Sequence, residues 1–385
     1  MRIVVAPDSF KGSISALNIA KAMKEGILRV FPDAEVVSTP IADGGEGTVE
    51  ALVDATGGSF RTTRVAGPLG APVDARWGVL GDGKTAVVEM AAASGLPLLK
   101  KEERNPLLAS TCGTGTLLVK AMDEGLTRII MGIGGSATND GGTGLARAIG
   151  VRFLDADGKE LPKGGAALAK LHSLDLSGLD PRVQGLEILV ACDVDNPLCG
   201  PRGASAVFGP QKGATPAMVE ELDKALAHYG SIAQKTTGRD CMDVAGAGAA
   251  GGLGAGLLFF TPARLQPGIV IVLETLKFES LLQGASFVIT GEGHSDFQTA
   301  YGKAPVGVAH AAKRHGLPVF CLSGGLGRGY ADMYAEGVDA TCVCLPGPMG
   351  LEEAMAAGPD QVAEGTERLC RIIRAAWMVK APENR

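Results

Sequence analysis

Four loops rich in glycine and acidic residues each follow a short apolar run: PDSFKG at Pro7–Gly12, ADGGEGT at Ala42–Thr48, GIGGSATNDGG at Gly132–Gly142 and TGEGHSD at Thr290–Asp296. A strand that ends in such a loop and then enters a helix is the repeating unit of an open parallel sheet, so the layout directs the chain towards α/β architecture. Glycine lets backbone N–H groups close on an anion, and the interspersed carboxylates suit the magnesium that travels with a nucleotide. The loops therefore read as phosphate-handling.

Hydrophobic periodicity fills in the rest. Arg2–Ala6 reads as a buried strand, and Ser13–Phe31 as a helix capped by Ser13, with Ile14, Leu17, Ala20, Ile27, Leu28 and Phe31 near one face. A strand at Glu35–Pro40 and a helix at Val49–Thr56 repeat the unit. The C-terminal third resumes it, with strands at Phe287–Thr290, Pro318–Ser323 and Ala340–Leu345 and helices at Val306–His315 and Gly350–Ala357. Between them, Phe60–Met90 alternates and is broken by the turns GPLGAP and GDGK, which predicts antiparallel pairing. Helices at Gly115–Glu124 and Pro216–Gln234 and strands at Arg128–Met131 and Glu187–Cys192 complete a mixed α/β insert. The expected organisation is a parallel-sheet domain built from 1–60 and 287–385, with an inserted domain at 61–286 and a ligand cleft at the two crossings.

A chain of 385 residues exceeds what one core usually serves, consistent with two domains. A net charge of −6 argues against nucleic acid or an anionic membrane as the main partner. Eight cysteines form no CxxC pair, and the N-terminal apolar run is too short for a signal peptide, so a reduced, cytoplasmic setting is expected.

Two pattern matches mislead. Gly78–Thr85, GVLGDGKT, fits GxxxxGK[ST], yet it lies between two strand-like segments, where a P-loop would open a helix. It reads as a hairpin turn. The GxGxxG at Gly246–Gly251 has no clean strand before it and no well-placed ribose-binding acid after it, which argues against a dinucleotide site and an oxidoreductase. Those glycines suit either helix packing or anion contact. His172, His228, His310 and His315 lack metal-ligand spacing, so a zinc site is not expected.

The ordered segments VVAPDSFKGS, PIADGGEGT, EMAAASGL, GIGGSATNDGG, ACDVDNPL, FGPQKGA, GAGAAGG and ITGEG, followed by DxQTxxGKxPxGVA, resemble the type 1 glycerate kinases over nearly the whole chain. The resemblance implies two α/β domains, one Rossmann-like and assembled from both chain ends, with the active site in the cleft between them. It also implies ATP-dependent phosphorylation of D-glycerate, at the 2-hydroxyl, with ATP and Mg²⁺ as cofactors. Alternatives are transfer to the 3-hydroxyl and a non-catalytic sensor on the same fold.

Placed on these loops, the catalytic candidates are Asp296, Asp193, Lys303 and Lys11, with Asp296 and Asp193 as base or magnesium ligand. Asp8, Ser9, Asp43, Glu46, Glu292 and His294 are expected to bind substrate. Gly134, Gly135, Ser136, Asn139, Asp140 and Gly248 are expected to meet the nucleotide, with Asp140 also suited to capping a helix. The chain departs from the family pattern at His294–Ser295, where arginine and an aliphatic residue are common, and at Cys112 and Thr116.

Overall fold

The computed structural model describes residues 1–356 and 358–378. It divides into two compact units, Met1–Asp43 with Val272–Arg385 and Gly44–Ile271. The chain lays down β1 (Arg2–Pro7) and β2 (Glu35–Ser38) in the first unit. In the second it forms β3 (Ser59–Ala66), β4 (Pro72–Val79), β5 (Thr85–Glu89), β6 (Arg128–Gly132), β7 (Arg152–Leu154), β8 (Ser173–Asp175), β9 (Glu187–Ala191) and β10 (Arg264–Gln266). It returns to the first with β11 (Ala285–Ser295), β12 (Val319–Leu326) and β13 (Ala340–Val343).

The first unit holds an all-parallel sheet ordered β13-β12-β11-β1-β2. Counted within the unit this is the doubly wound order 2-1-3-4-5, whose direction of winding reverses between β1 and β11. Ile3, Val4 and Val5 are wholly buried, as a continuous apolar run in a two-sided parallel strand requires. The helices Ala16–Leu28 and Gly358–Met378 pack together, and a Cβ on Gly26 would stand 2.2 Å from the carbonyl oxygen of Ala363. Only glycine permits that approach.

The first helix begins later than its periodicity suggests. Phe10 and Ile14 exchange backbone hydrogen bonds of 2.9 and 3.0 Å, which holds Ser13 and Ile14 in a turn, and Ser15 becomes the cap. β11 also runs further than Phe287–Thr290, through the GEGHS that reads as loop. It keeps pairing with β12 as far as Ser295↔Leu326, because Gly324 lets the two backbones close; a Cβ there would lie 2.5 Å from the Gly293 carbonyl oxygen. The helix expected at Gly350–Ala357 spans Leu351–Ala356, and position 357 lies outside the described residues.

The second unit holds a mixed sheet ordered β10-β9-β6-β5-β4-β3, with β3, β4 and β5 antiparallel and the others parallel. β7 and β8 form a separate antiparallel pair. Its core gathers Trp77, Phe153, Tyr229 and Phe259, the last two edge to face. The helix Thr48–Thr56 belongs here, whereas its strand–loop–helix pattern placed it with β1 and β2 and put the boundary near 60. It lies on β4 so closely that a Cβ on Gly78 would meet the Val53 side chain at 2.2 Å. The other division falls at 271/272, earlier than the expected 286. Among the described residues no helix is long and apolar enough to cross a membrane.

Candidate active site

Doubly wound sheets leave a crevice at the carboxyl ends of their strands where the winding reverses. In the first unit that point lies at the ends of β1 and β11, and a cavity of about 450 Å³ opens there. Its polar side is formed by Asp8, Lys11, Asp43, Glu292, His294 and Lys303, with Ser9 beside them. The cavity thus draws together side chains from three of the four glycine loops and from the turn that follows β11.

Asp8 extends the line of β1, its N–H donating to the Gly291 carbonyl at 2.8 Å. Its carboxylate accepts the Ser9 N–H at 2.6 Å and is 5% exposed. Burial and the neighbouring charge of Asp43 push its pKa up to about 7, opposed by the Ser9 N–H and by Lys11. The Lys11 ammonium lies 3.5 Å from the Asp43 carboxylate.

Glu292 is also buried, and one of its oxygens accepts the hydroxyls of Ser295 at 2.8 Å and Thr299 at 2.7 Å. Burial raises its pKa against those two hydrogen bonds and the charge of Lys303. Thr299 in turn receives the Asp296 N–H at 3.2 Å, so Glu292 braces the turn that carries Asp296 and Lys303. Asp296 is not among the cavity's lining residues. It caps that turn by accepting the Gln298 N–H at 2.9 Å and faces the Lys303 ammonium at 3.9 Å. His294 is exposed, and its ring lies where Gly325 and Gly327 leave room; a Cβ on Gly327 would be 2.6 Å from Nε2.

The remaining candidates lie in the second unit. Glu46 is exposed, and the first turn of the following helix needs an acceptor for its N–H groups. That task falls to Glu89 on β5, which accepts the Val49 N–H at 2.8 Å and was not expected from sequence. Asp193 is exposed, with one oxygen accepting the Gly268 N–H at 3.0 Å.

In GIGGSATNDGG, Gly134 and Gly135 are exposed while Ser136, Asn139 and Asp140 are buried. Asp140 accepts the Thr111 N–H and hydroxyl at 2.8 and 3.0 Å, the Gly142 N–H at 3.2 Å and the Gly144 N–H at 3.1 Å. Its carboxylate is committed to the loop, which favours the cap over nucleotide contact. Asn139 likewise points inward and donates to Ser205 at 2.9 Å. Lys212, which the sequence did not single out, is wholly buried and donates to the Thr138 carbonyl at 2.7 Å. Burial lowers its pKa to about 7, countered in part by Asp140.

Gly248 is buried as well; a Cβ there would meet the Pro197 carbonyl at 2.1 Å. Gly251 stands as close to the Thr138 carbonyl, at 2.0 Å, so the end of GAGAAGG packs on the backbone of the GSATNDGG loop. The P-loop look-alike is a hairpin turn between β4 and β5, where Asp82 accepts the N–H groups of Lys84 and Thr85, both at 2.9 Å.

A family profile, the glycerate kinase family, matches residues 3–374. A glycerate kinase of Halalkalibacterium halodurans is 52% identical over 375 residues, covering 97% of this chain and 98% of its own. The glycerate 2-kinase of Escherichia coli is 49% identical over 373 residues, with 97% and 98% covered. A crystal structure described as glycerate kinase 2 from Salmonella typhimurium superposes with a TM-score of 0.90 at 46% identity, covering 99% of this chain and 100% of that one. The α/β fold and the profile define a kinase. The chain belongs to the glycerate kinase family.

Among the described residues no three His, Cys, Asp or Glu side chains are gathered for a metal ion. Magnesium carried by a nucleotide asks for one or two carboxylates and takes its other ligands from phosphate and water. Asp296, a half-buried carboxylate beside Lys303, and the exposed Asp193 each meet that limited demand.

Proposed function

We propose that this chain transfers the γ-phosphoryl group of ATP to the 2-hydroxyl of D-glycerate in the cytoplasm. The observation that carries the reading is the cavity at the ends of β1 and β11, where buried acids and lysines face the same space. Asp8 takes the proton of the attacking hydroxyl. A carboxylate with a pKa near 7 is basic enough for that task and still substantially ionised at neutral pH. As the oxygen–phosphorus bond forms, the bond from the γ-phosphorus to the bridging oxygen breaks and ADP leaves. Lys11 and Lys303 offset the charge on the phosphoryl oxygens.

Asp43 keeps Asp8 basic and holds Lys11, while Ser9 and His294 orient the acceptor, the latter at its carboxylate. Glu292 acts on the site through Thr299. Gly134, Gly135 and Ser136 offer backbone N–H groups to phosphate, and Asn139 and Asp140 keep the GSATNDGG loop in shape. Asp296, with Asp193 as second candidate and Glu46 as a further acid near substrate, would hold the magnesium that neutralises phosphate charge.

Incubation with D-glycerate, ATP and magnesium should yield 2-phosphoglycerate by NMR, with little turnover of L-lactate, which lacks the second hydroxyl. Formation of 3-phosphoglycerate would reassign the hydroxyl, and equal use of lactate would remove the acceptor assignment. In the same assay Lys303→Ala should lose roughly 10-fold or more in kcat/KM, whereas Lys84→Ala, in the hairpin turn, should match wild type. The reverse pattern would move the nucleotide to Gly78–Thr85.

A further inference from the structure

The cavity is larger and less polar than its acceptor needs. Glycerate has three carbons, each bearing oxygen, and presents no apolar face. Yet much of its lining is apolar, contributed by Phe10, Ile14, Leu345, Met349, Leu351 and Met355. Its volume of about 450 Å³ lies in the range of pockets that hold drug-sized ligands.

Two of the walls are solvent-facing in an otherwise acidic helix, LEEAMA: Leu351 is 76% exposed and Met355 39%. Apolar side chains left open beside charged groups mark a surface that a ligand covers. The helix is tied to the loop that carries Lys11. Ser13 Oγ donates to the Met355 carbonyl at 3.2 Å, and the Met355 methyl sits 3.7 Å from where a Cβ on Gly12 would be. The apolar lining therefore continues directly into the side that would receive phosphate.

Gln361 adds a polar group to this lining. Its amide donates at 3.4 Å to the thioether of Met349, a weak acceptor and the only hydrogen-bond partner its side chain has among the described residues. A planar ring with apolar faces and a donor–acceptor edge suits this combination. Methionine thioethers adapt to aromatic faces, and a glutamine amide can both donate to and accept from a purine edge.

We propose that the apolar lining of this cavity seats the purine base of the nucleotide, against Met349, Leu351 and Met355, with Gln361 reading its edge. The proposal rests on the reading that the phosphoryl donor is ATP. Glycerate stays on the polar side with Asp8 and Lys11.

Calorimetric titration with ADP tests the seat without turnover, and inorganic tripolyphosphate serves as the baseless control. Leu351→Glu changes an exposed position, so folding is not at stake, and Ala354→Trp fills the cavity from the same helix. Both should weaken ADP by roughly 10-fold or more, the scale of one stacked base, while tripolyphosphate affinity stays within about two-fold. Gln361→Leu should narrow the preference for ADP over GDP. Unchanged ADP affinity in Leu351→Glu and Ala354→Trp would overturn the seat and leave the kinase reading intact. ADP affinity lost in both variants, in a wild type that phosphorylates no glycerate, would uphold the seat and overturn the proposed transfer to D-glycerate. A wild type that binds no ADP would overturn both.

Discussion

Asp8→Asn is expected to lower kcat by roughly 100-fold or more, because asparagine keeps the hydrogen bond from the Ser9 N–H but cannot accept the hydroxyl proton. The same substitution should change how stability depends on pH. The Asp8 pKa is raised from 3.8 to about 7 by burial and by Asp43. The stabilisation of its neutral form is therefore complete below about pH 4 and is lost as pH rises through about 7. Wild type should thus lose stability over that interval relative to the variant, so that the variant has the higher Tm at pH 8.5 and the gap closes towards pH 4. Near-normal kcat in the folded variant would remove Asp8 from proton transfer. Asp296→Asn supplies the comparison, since asparagine can still cap the turn after β11. A larger loss of kcat there than in Asp8→Asn would pass the base role to Asp296.

Asp140→Ala should be the most damaging single change to stability. The carboxylate answers three backbone N–H groups and the Thr111 hydroxyl in a fully buried setting, and its charge favours the protonated form of Lys212. Truncation strands those donors and leaves the lysine without that compensation. Removing one partner from a buried charged network costs about 3–5 kcal/mol, which a urea melt would read as a large fall in midpoint at unchanged slope. A loss below about 1 kcal/mol would show that the loop is held by the glycine packing of Gly251 and Gly256 instead.

Much of the first unit was legible because parallel strands buried on both faces announce themselves as apolar runs, and the loops after them carry the polar residues of the site. Asp8, Lys11, Asp43, Glu292, His294 and Lys303, read from that position and from the family resemblance, all line one cavity. What failed depended on distant partners. GEGHS has the composition of a loop and becomes strand because Gly324 lies opposite it.

The helix Gly358–Met378 was not anticipated. Its buried positions include Ala363, Thr366 and Cys370 among Val362, Leu369 and Ile373, a weak stripe whose meaning comes from the helix it packs against. Lys212 looked like any surface lysine in FGPQKGA, since nothing local shows that its head would reach the Thr138 carbonyl. The apolar wall at Leu345–Met355 carries no motif, and only the fold reveals that it faces the charged loops.

The pairing of β1 with β11 has a bearing on biosynthesis. Ile3 leaves the ribosome before any of the second unit, yet its neighbour Phe287 emerges only after the whole of it. The sheet of that unit can be completed from its own strands, so it is free to fold during translation while β1 waits with β2 as its sole mate. The ends of β1 and β11 form the cavity proposed for catalysis, so nascent chains cannot bind substrate there until β11 has been made. Premature termination between β10 and β11 would release a folded insert flanked by an N-terminal strand with one edge open to aggregation.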